Sequence, residues 1–311
     1  MERRGGAEEE AAWRAPGSGR RRRRRRGAAR GAEEAGRLAR ARLREARAEL
    51  LASEFWESSL KVILQSLRKQ LAPPKEMSAL TTAEKTLSAL ENLQLTPAAE
   101  PALESISRPR EEPESYTSGL QCVCYGIGNF SSSVQSRYQL AFLLLLLKKL
   151  KIPENMCEVF DPVFSTVETD ILNSLGVTVL SENEEGKRHV HNPTLFYMIH
   201  CGKALYNNLL WSNWSMEGLS NLVVIGNSFR GIEERLLAKI FQRDYGYIAK
   251  VLRATEEEAL PAHPHYLDIF NDTSIHCFPG HKLVTLPLET WGVREEPVYQ
   301  DDDRLEIIRK Q

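Results

Sequence analysis

Two glycines directly after a short apolar run form the strongest local signal for binding chemistry in this 311-residue sequence. Gly126 and Gly128 follow the run at 120–125, and a helical pattern begins a few residues later. A strand that turns through Gly-x-Gly into a helix brings backbone N–H groups to the positive end of the helix, where phosphate and carboxylate groups bind. The third glycine of the dinucleotide fingerprint is absent, because Ser131 stands in its place. The pattern therefore predicts either an anion-binding turn or only a tight turn between strand and helix.

Polar residues follow three further predicted strands. Asp161 comes after the second strand, His200 after the fourth, and Asn227 with Ser228 after the fifth. Ligands of open α/β sheets bind outside the carboxyl ends of the strands, so we predict that these residues join Asn129 and the two glycines in one ligand site. The alternative is that the Asn and Ser residues cap the helices that follow them. Asp161 lies about 35 residues after the first glycine, beyond the roughly 20 that is usual for a ribose-binding acid.

Two dipeptides pair an imidazole with a thiol, which are the ligand types that hold haem iron. They are His200-Cys201 and His276-Cys277. The sequence lacks a Cys-x-x-Cys-His motif, so packing and hydrogen bonding are the default interpretation for all four residues. Haem and a nucleotide-like molecule are the two cofactor classes that the sequence leaves open.

Catalytic motifs are missing from the sequence. It contains no Gly-x-Ser-x-Gly elbow, no Gly-Lys-Ser/Thr phosphate loop and no Cys-x-x-Cys pair. Its histidines, spaced by two at 189 and 191 and again at 263 and 265, lack further ligands at metal-site spacing. We therefore predict no catalytic residues and no metal site, and whether the protein is an enzyme stays open.

Short apolar runs alternate with helical patterns in the second part of the chain. This alternation predicts βα units, and hence an α/β, Rossmann-like fold with a mostly parallel sheet and helices on both faces. Cys122 and Cys124 lie two apart on the first strand, so both thiols should point into the core. The predicted strands are 120–125, 158–160, 177–180, 194–200 and 222–225; the predicted helices are 134–150, 166–175, 203–210 and 232–241; further apolar runs occupy 248–252 and 266–270.

The N-terminal region differs from the rest in composition and charge. Residues 1–50 hold 16 Arg and 8 Glu and so carry +8, whereas the whole chain carries −1 and the remainder therefore −9. Dense like charge predicts disorder, and the apolar spacing from Trp56 to Leu71 predicts one helical face within a helix at 33–71 that ends before Pro73. We divide the chain into a disordered Arg-rich arm at 1–31, a helical N-terminal region at 32–96 with a second helix near 83–95, a linker at 97–118, the Rossmann-like domain at 119–295 and an acidic tail at 296–311.

Composition also limits the cellular locations and the partners that the sequence predicts. The longest apolar run has eight residues, too few for the roughly 20 that a membrane-spanning helix needs, so no membrane partner is predicted. Five irregularly spaced cysteines predict reduced thiols, which favours a cytoplasmic location, with the nucleus as a further one. The seven arginines from Arg20 to Arg26 predict sequence-independent binding of nucleic acid, or binding of an anionic surface or a nuclear import receptor. The alternative is a low-complexity tail without a partner.

Seven sequence segments occur in order between residues 120 and 280. They are Tyr125-Gly-Ile-Gly-Asn-Phe130, Arg137-Tyr-Gln-Leu-Ala141, Val159-Phe-Asp-Pro-Val-Phe164, Leu195-Phe-Tyr-Met198, Leu205-Tyr-Asn-Asn-Leu-Leu210, Ile225-Gly-Asn-Ser-Phe229 and Phe270-Asn-Asp-Thr-Ser274. Taken together, these segments resemble the Sensitivity-to-Red-Light-Reduced family, and within it the animal members that carry an SRR1 domain. Two positions depart from the family pattern, since Ile199 replaces a frequent Pro and Cys277 a frequent aromatic residue.

The resemblance implies a regulatory protein with protein partners. It implies roles in the circadian clock, in clock gene expression and, in animals, in haem biosynthesis. It supplies no reaction and no catalytic residues. Two alternatives stay open: an enzyme that uses a nucleotide or an S-adenosylmethionine-like cofactor at the strand ends, and a nucleic-acid-associated factor that acts through the Arg-rich arm.

Overall fold

A single seven-stranded sheet organises the protein, whose computed structural model describes residues 18–71, 117–292 and 294–299. The first five strands are mutually parallel and follow the order β3-β2-β1-β4-β5. β7 pairs antiparallel with β5, and β6 pairs antiparallel with β7 at the edge. The strands are β1 Gln121–Tyr125, β2 Cys157–Phe160, β3 Thr178–Val179, β4 Thr194–Met198, β5 Leu222–Asn227, β6 Glu256–Ala259 and β7 Thr273–Cys277.

Helices cover both faces of the sheet, which confirms the predicted α/β class. Alternate residues of β1 enter different cores: Cys122 and Cys124 pack into one, Val123 and Tyr125 into the other. Both thiols therefore point into one core, as predicted. The helices are α1 Ser18–Leu51, α2 Glu54–Leu71, α3 Val134–Leu150, α4 Thr166–Ser174, α5 Lys203–Ser212, α6 Met216–Ser220, α7 Phe229–Arg235, α8 Ala238–Asp244, α9 Gly246–Val251, α10 Leu267–Phe270, α11 Gly280–Leu283 and α12 Glu289–Gly292.

Local capping fixes where the helices of the first βα units begin and end. The Ser133 hydroxyl accepts the backbone N–H of Ser136 and starts α3, as the serine run predicts. Ser165 and Glu168 form a capping box that starts α4. Gly176, with a φ of 84°, follows the end of α4. These caps fix the positions of the turns that join β1 and β2 to the helices after them.

The last two strands lie outside the further apolar runs that the sequence analysis noted. The apolar runs at 248–252 and 266–270 are helical, and the strands lie instead at Glu256–Ala259 and Thr273–Cys277. β6 is an edge strand with one paired side, so its three glutamates meet solvent or polar partners. The helix predicted at 232–241 is interrupted and forms α7 and α8.

The N-terminal helices α1 and α2 pack into the core on one face of the sheet. The helix predicted at 33–71 is broken after Leu51, so that α1 and α2 meet at a bend. On α2, Trp56, Ile63 and Leu67 are buried, as their spacing predicts. The predicted helix near 83–95 and the linker at 97–118 fall on residues outside the described ranges, apart from 117 and 118.

None of the helices in the described part of the chain combines the length and the apolar composition needed to cross a bilayer.

Candidate functional site

The turn after β1 requires glycine at both predicted positions. Gly126 has a φ of 73° and Gly128 a φ of 76°, conformations that other residues rarely adopt. A Cβ on Gly126 would lie 2.6 Å from the Cys201 sulfur, and one on Gly128 would lie 2.8 Å from the Ser136 hydroxyl oxygen. Both glycines therefore allow a close approach as well as a tight turn.

The Asp161 carboxylate closes this turn from the end of β2. Its Oδ2 accepts the backbone N–H of Gly128 at 2.7 Å, and its Oδ1 accepts that of Val163 at 2.9 Å. Burial raises the pKa of Asp161, while the two N–H groups work in the opposite direction. The N–H of Gly128, which an anionic ligand would use, is thus already bonded to a carboxylate of the chain itself.

Asn129 shapes the turn that follows Gly128 through bonds to the next serines. Its Oδ1 accepts the N–H of Ser132 at 3.1 Å and the hydroxyls of Ser131 and Ser132 at 2.9 and 2.7 Å. The backbone N–H of Ser131 donates to Glu168, a fully buried carboxylate, at 2.9 Å. Our sequence analysis missed Glu168, although the Ser-x-x-Glu capping pattern at 165–168 signals it.

His200 presents an exposed imidazole at the end of β4. Its backbone is left-handed, with a φ of 58°, and its N–H donates to the Asn227 side-chain oxygen at 2.8 Å. The ring lies between Gln139, 3.2 Å from Nδ1, and Asn271, whose Oδ1 is 3.1 Å from Nε2. Sequence analysis did not single out Gln139 or Asn271, because nothing in their spacing points to the ring they hold.

Asn227 bonds to neighbouring segments at the end of β5, and Ser228 caps the helix that follows. The Asn227 backbone N–H donates to the Tyr206 hydroxyl at 2.9 Å, and its side-chain amide donates to the Cys201 carbonyl at 3.1 Å. The Ser228 oxygen accepts the N–H of Gly231 at 2.8 Å and caps α7, which confirms the capping alternative for this residue. The Ser228 hydroxyl also donates to Glu257 on β6.

The predicted site residues therefore form two groups. Gly126, Gly128 and Asp161 meet at the ends of β1 and β2, and His200 and Asn227 meet at the ends of β4 and β5. Cys201 links the groups, because its thiol donates to the Tyr125 carbonyl at 3.3 Å and its own carbonyl accepts from Asn227. We call Gly126, Gly128, Asp161, His200 and Asn227 the strand-end rim.

The haem-ligand candidates are engaged in packing. The His276 ring is fully buried, stacks 4.0 Å from the Phe229 ring, and binds the Val224 carbonyl through Nδ1 at 3.1 Å and the Phe229 N–H through Nε2 at 3.4 Å. The Cys277 thiol donates to the Ser66 carbonyl at 3.5 Å.

Burial keeps both candidate thiols protonated. It raises the pKa of Cys277 to about 12 and that of Cys201 further still. Within the described ranges, no three His, Cys, Asp or Glu side chains are grouped in a way that would hold a metal ion.

Comparison with known proteins shows which family the chain resembles. The model of the SRR1 domain matches residues 94–277. The chain is 53% identical to a mouse SRR1-like protein over 212 residues, which cover 68% of this chain and 79% of the mouse protein. All of the strand-end rim lies within the matched residues.

More distant relatives match as well. Identity is 40% over 172 residues to Arabidopsis Protein SENSITIVITY TO RED LIGHT REDUCED 1, covering 54% of this chain and 62% of that protein. It is 32% over 203 residues to a Drosophila SRR1-like protein, covering 65% of this chain and 68% of the relative. No solved structure matches the chain.

Proposed function

The chain belongs to the SRR1 domain family, and from this premise we propose that it is a regulator of clock gene expression and of haem biosynthesis that acts by binding a protein partner or a ligand. The name of the Arabidopsis relative, which refers to sensitivity to red light, supports a role related to light and rhythm. We place this activity in the cytoplasm and also in the nucleus.

The hydrogen bonding of the strand-end rim carries the proposal. The Asp161 carboxylate is committed to two backbone N–H groups, and the Asn227 oxygen to the N–H of His200. The Cys201 thiol lies beside Gly126, and burial raises its pKa, so the thiolate that a nucleophile requires is disfavoured. A rim that is pre-organised but lacks an activated nucleophile supports binding better than covalent catalysis.

Depletion of the protein in cultured cells tests this proposal. We expect altered amplitude or period of clock transcript rhythms and a changed cellular haem content, both restored by re-expression of the full chain. Rhythms and haem content that stay unchanged after depletion would contradict it.

A second candidate function is an enzyme that uses a nucleotide or an S-adenosylmethionine-like cofactor. It is favoured by the strand order, which reverses between the neighbouring strands β1 and β4, beside the turn that holds Gly126, Gly128 and Asp161. In doubly wound sheets, the point where the strand order reverses is where such ligands bind.

A thermal-shift series with nucleotides, S-adenosylmethionine and haem separates the two candidates. A ligand present at 100 times its Kd would stabilise the protein by about 2.7 kcal/mol. Stabilisation by one of these molecules that is lost in Gly126→Val supports cofactor binding at the rim. The absence of any shift favours a regulator that works through a protein partner.

A further inference from the structure

The last described segment of the chain, residues 294–299, runs as a strap along α5. It belongs to no helix or strand. At one end of this strap, the Arg294 guanidinium donates to the Ser212 carbonyl at 2.5 Å, where α5 ends. At the other end, the Tyr299 hydroxyl lies 3.1 Å from the carbonyl oxygen of Ala204, where α5 begins. The strap is therefore antiparallel to the helix that it covers.

Most of the strap faces solvent. The Tyr247 hydroxyl donates to the Glu295 carbonyl at 2.6 Å, and Glu296 forms an ion pair with Lys187 at 2.7 Å. Glu295 and Glu296 are exposed, and Val298 is 84% exposed. Because the strap is not part of the sheet, it can open locally while the strands stay paired.

Tyr299 is the buried anchor of the strap. It is 7% exposed, and its ring lies 6.1 Å from the ring of Tyr245. Its hydroxyl accepts the side-chain amide of Asn207 at 3.1 Å and lies 2.8 Å from the Asn208 side-chain oxygen, an acceptor for its proton. We call the surroundings of this hydroxyl, formed by Ala204, Asn207, Asn208 and Tyr245, the tyrosine slot. These partners suit a neutral hydroxyl, which donates one hydrogen bond and accepts another.

A phosphate group on the Tyr299 oxygen is incompatible with the tyrosine slot. It carries a charge of about −1.5 to −2 at neutral pH, and its oxygens are acceptors. It would face the Asn208 side-chain oxygen and the Ala204 carbonyl, which are acceptors as well. A charge that is buried against acceptors is strongly unfavourable, so the modified side chain must leave the slot.

The residues around Tyr299 are acidic, and kinases select their substrates partly by such charge patterns. Glu295 and Glu296 precede the tyrosine, and three aspartates follow it at 301–303. The tyrosine enters a kinase active site only when the strap opens, which its exposed course along α5 permits.

The tyrosine slot lies on the turns of α5 that also support the strand-end rim. Tyr206 stands on these turns, between Ala204 and Asn207. Its hydroxyl donates to the Met198 carbonyl and accepts the backbone N–H of Asn227 at 2.9 Å. The strap and the rim are therefore held by the same part of one helix.

We propose that Tyr299 is a tyrosine-phosphorylation site, and that its phosphorylation releases the strap and loosens the turns of α5 that support the rim. A protein kinase transfers the γ-phosphoryl group of ATP to the Tyr299 oxygen. A bond forms between that oxygen and the phosphorus, the bond from the phosphorus to the β–γ bridging oxygen breaks, ADP leaves, and the phenolic proton passes to the catalytic base of the kinase. The inference goes beyond the proposed function and depends on the contacts of the strap alone.

Incubation of the full chain with ATP and a purified tyrosine-kinase catalytic domain that prefers acidic substrates tests the modification. Mass spectrometry should locate phosphate at Tyr299. The phosphate should be lost in Tyr299→Phe and kept in Tyr245→Phe, which removes a neighbouring buried hydroxyl. A free peptide of residues 292–303 is the positive control. Phosphorylation of the peptide but not of Tyr299 in the chain, or of neither, would overturn the proposal.

Hydrogen exchange of the phosphorylated chain measures the release. Amides of residues 294–299 and 203–208 should exchange about threefold faster or more than in the same chain after phosphatase treatment. Lys203 lies 5.5 Å from the centre of the Tyr245 ring, and a phosphate that it held in place would leave exchange unchanged. Unchanged exchange in either segment would contradict the release.

Paired variants separate the buried position from the added charge. Tyr299→Glu should speed exchange in both segments. Val298→Glu adds the same charge one residue earlier, at a side chain that is already exposed, and should leave exchange unchanged. Equal effects of the two variants would refute the role of the tyrosine slot. None of these outcomes depends on clock or haem measurements, so the proposed function is tested separately.

Discussion

The backbone N–H of Gly128 donates to the Asp161 carboxylate at 2.7 Å, which ties the turn after β1 to the end of β2. The same carboxylate accepts the N–H of Val163 at 2.9 Å. One acidic side chain thus holds two loops that a ligand at the strand-end rim would touch. Position 161 is therefore a scaffold residue of the rim, whatever else binds there.

Replacing Asp161 tests this scaffold role. Asp161→Asn leaves one acceptor oxygen for two N–H donors, so one of them loses its partner. We expect the free energy of unfolding to fall by about 1–3 kcal/mol in urea titrations. The control Asp170→Asn alters an exposed carboxylate and should change stability by less than about 0.5 kcal/mol. Equal stability of the two variants would show that the Asp161 bonds contribute nothing.

Gly128 tests the geometry of the same turn. Gly128→Ala forces a side chain into a left-handed conformation and puts its Cβ 2.8 Å from the Ser136 hydroxyl oxygen. We expect a loss of about 1–2 kcal/mol from the backbone, plus the cost of the contact. Gly246→Ala is the matched control, because a Cβ there has nothing within 4 Å. Unfolding curves that shift equally for both variants would contradict this account of the turn.

The buried His276 predicts how stability depends on pH. Burial lowers its pKa from 6.5, against the opposing effect of Glu257, so the unfolded chain takes up the proton more readily than the folded one. Neutral His276 therefore contributes its full share to the free energy of unfolding above pH 6.5. As the pH falls below 6.5, the free energy of unfolding decreases by at most about 1.4 kcal/mol per pH unit.

Urea unfolding between pH 7.5 and 5 measures this effect. His276→Gln should flatten the slope below pH 6.5, whereas His281→Gln, which alters a side chain that is 64% exposed, should leave it unchanged. A slope that is identical in all three proteins would contradict the assignment to His276.

The parallel half of the fold could be predicted from the sequence, and the antiparallel edge could not. β1, β2, β4 and β5 are apolar runs between helices, and such runs indicate buried parallel strands. β6 reads Glu-Glu-Glu-Ala, which has no strand signal; its Glu257 is tolerated because Ser228 and Arg230 supply donors. β7 contains Thr, Ser and His, and its burial depends on tertiary partners such as Phe229.

The sequence predicts at which edge of the sheet the candidate site lies, but not which residues hold its side chains. The strand-end rule brings Gly126, Asp161, His200 and Asn227 to one edge of the sheet. Their partners Gln139 and Asn271 come from helix and loop positions whose spacing carries no signal. The packing of Phe55 against Tyr266 and Phe270 also escaped prediction, because Phe55 belongs to a helix that the sequence pattern assigns to a separate region.

We propose that the arginines from Arg20 to Arg26 bind nucleic acid without sequence preference. Deletion of residues 1–31 should abolish that binding and leave the melting temperature nearly unchanged, because residues 31–35, the first of α1 whose burial the structure describes, are exposed. Binding of a DNA duplex by the full chain should weaken with salt, with a log–log slope of about −0.9 per phosphate contact. Undiminished binding after the deletion would contradict the proposal.

The most direct test of a regulator that acts through its strand-end rim is rescue of depleted cells with a rim variant. His200→Asn removes the imidazole and keeps a residue that tolerates the left-handed φ of 58°. We predict that it folds with a near-normal melting temperature but fails to restore clock transcript rhythms and haem content, whereas the unsubstituted chain and the control His281→Asn restore both. Full restoration by His200→Asn would contradict the account.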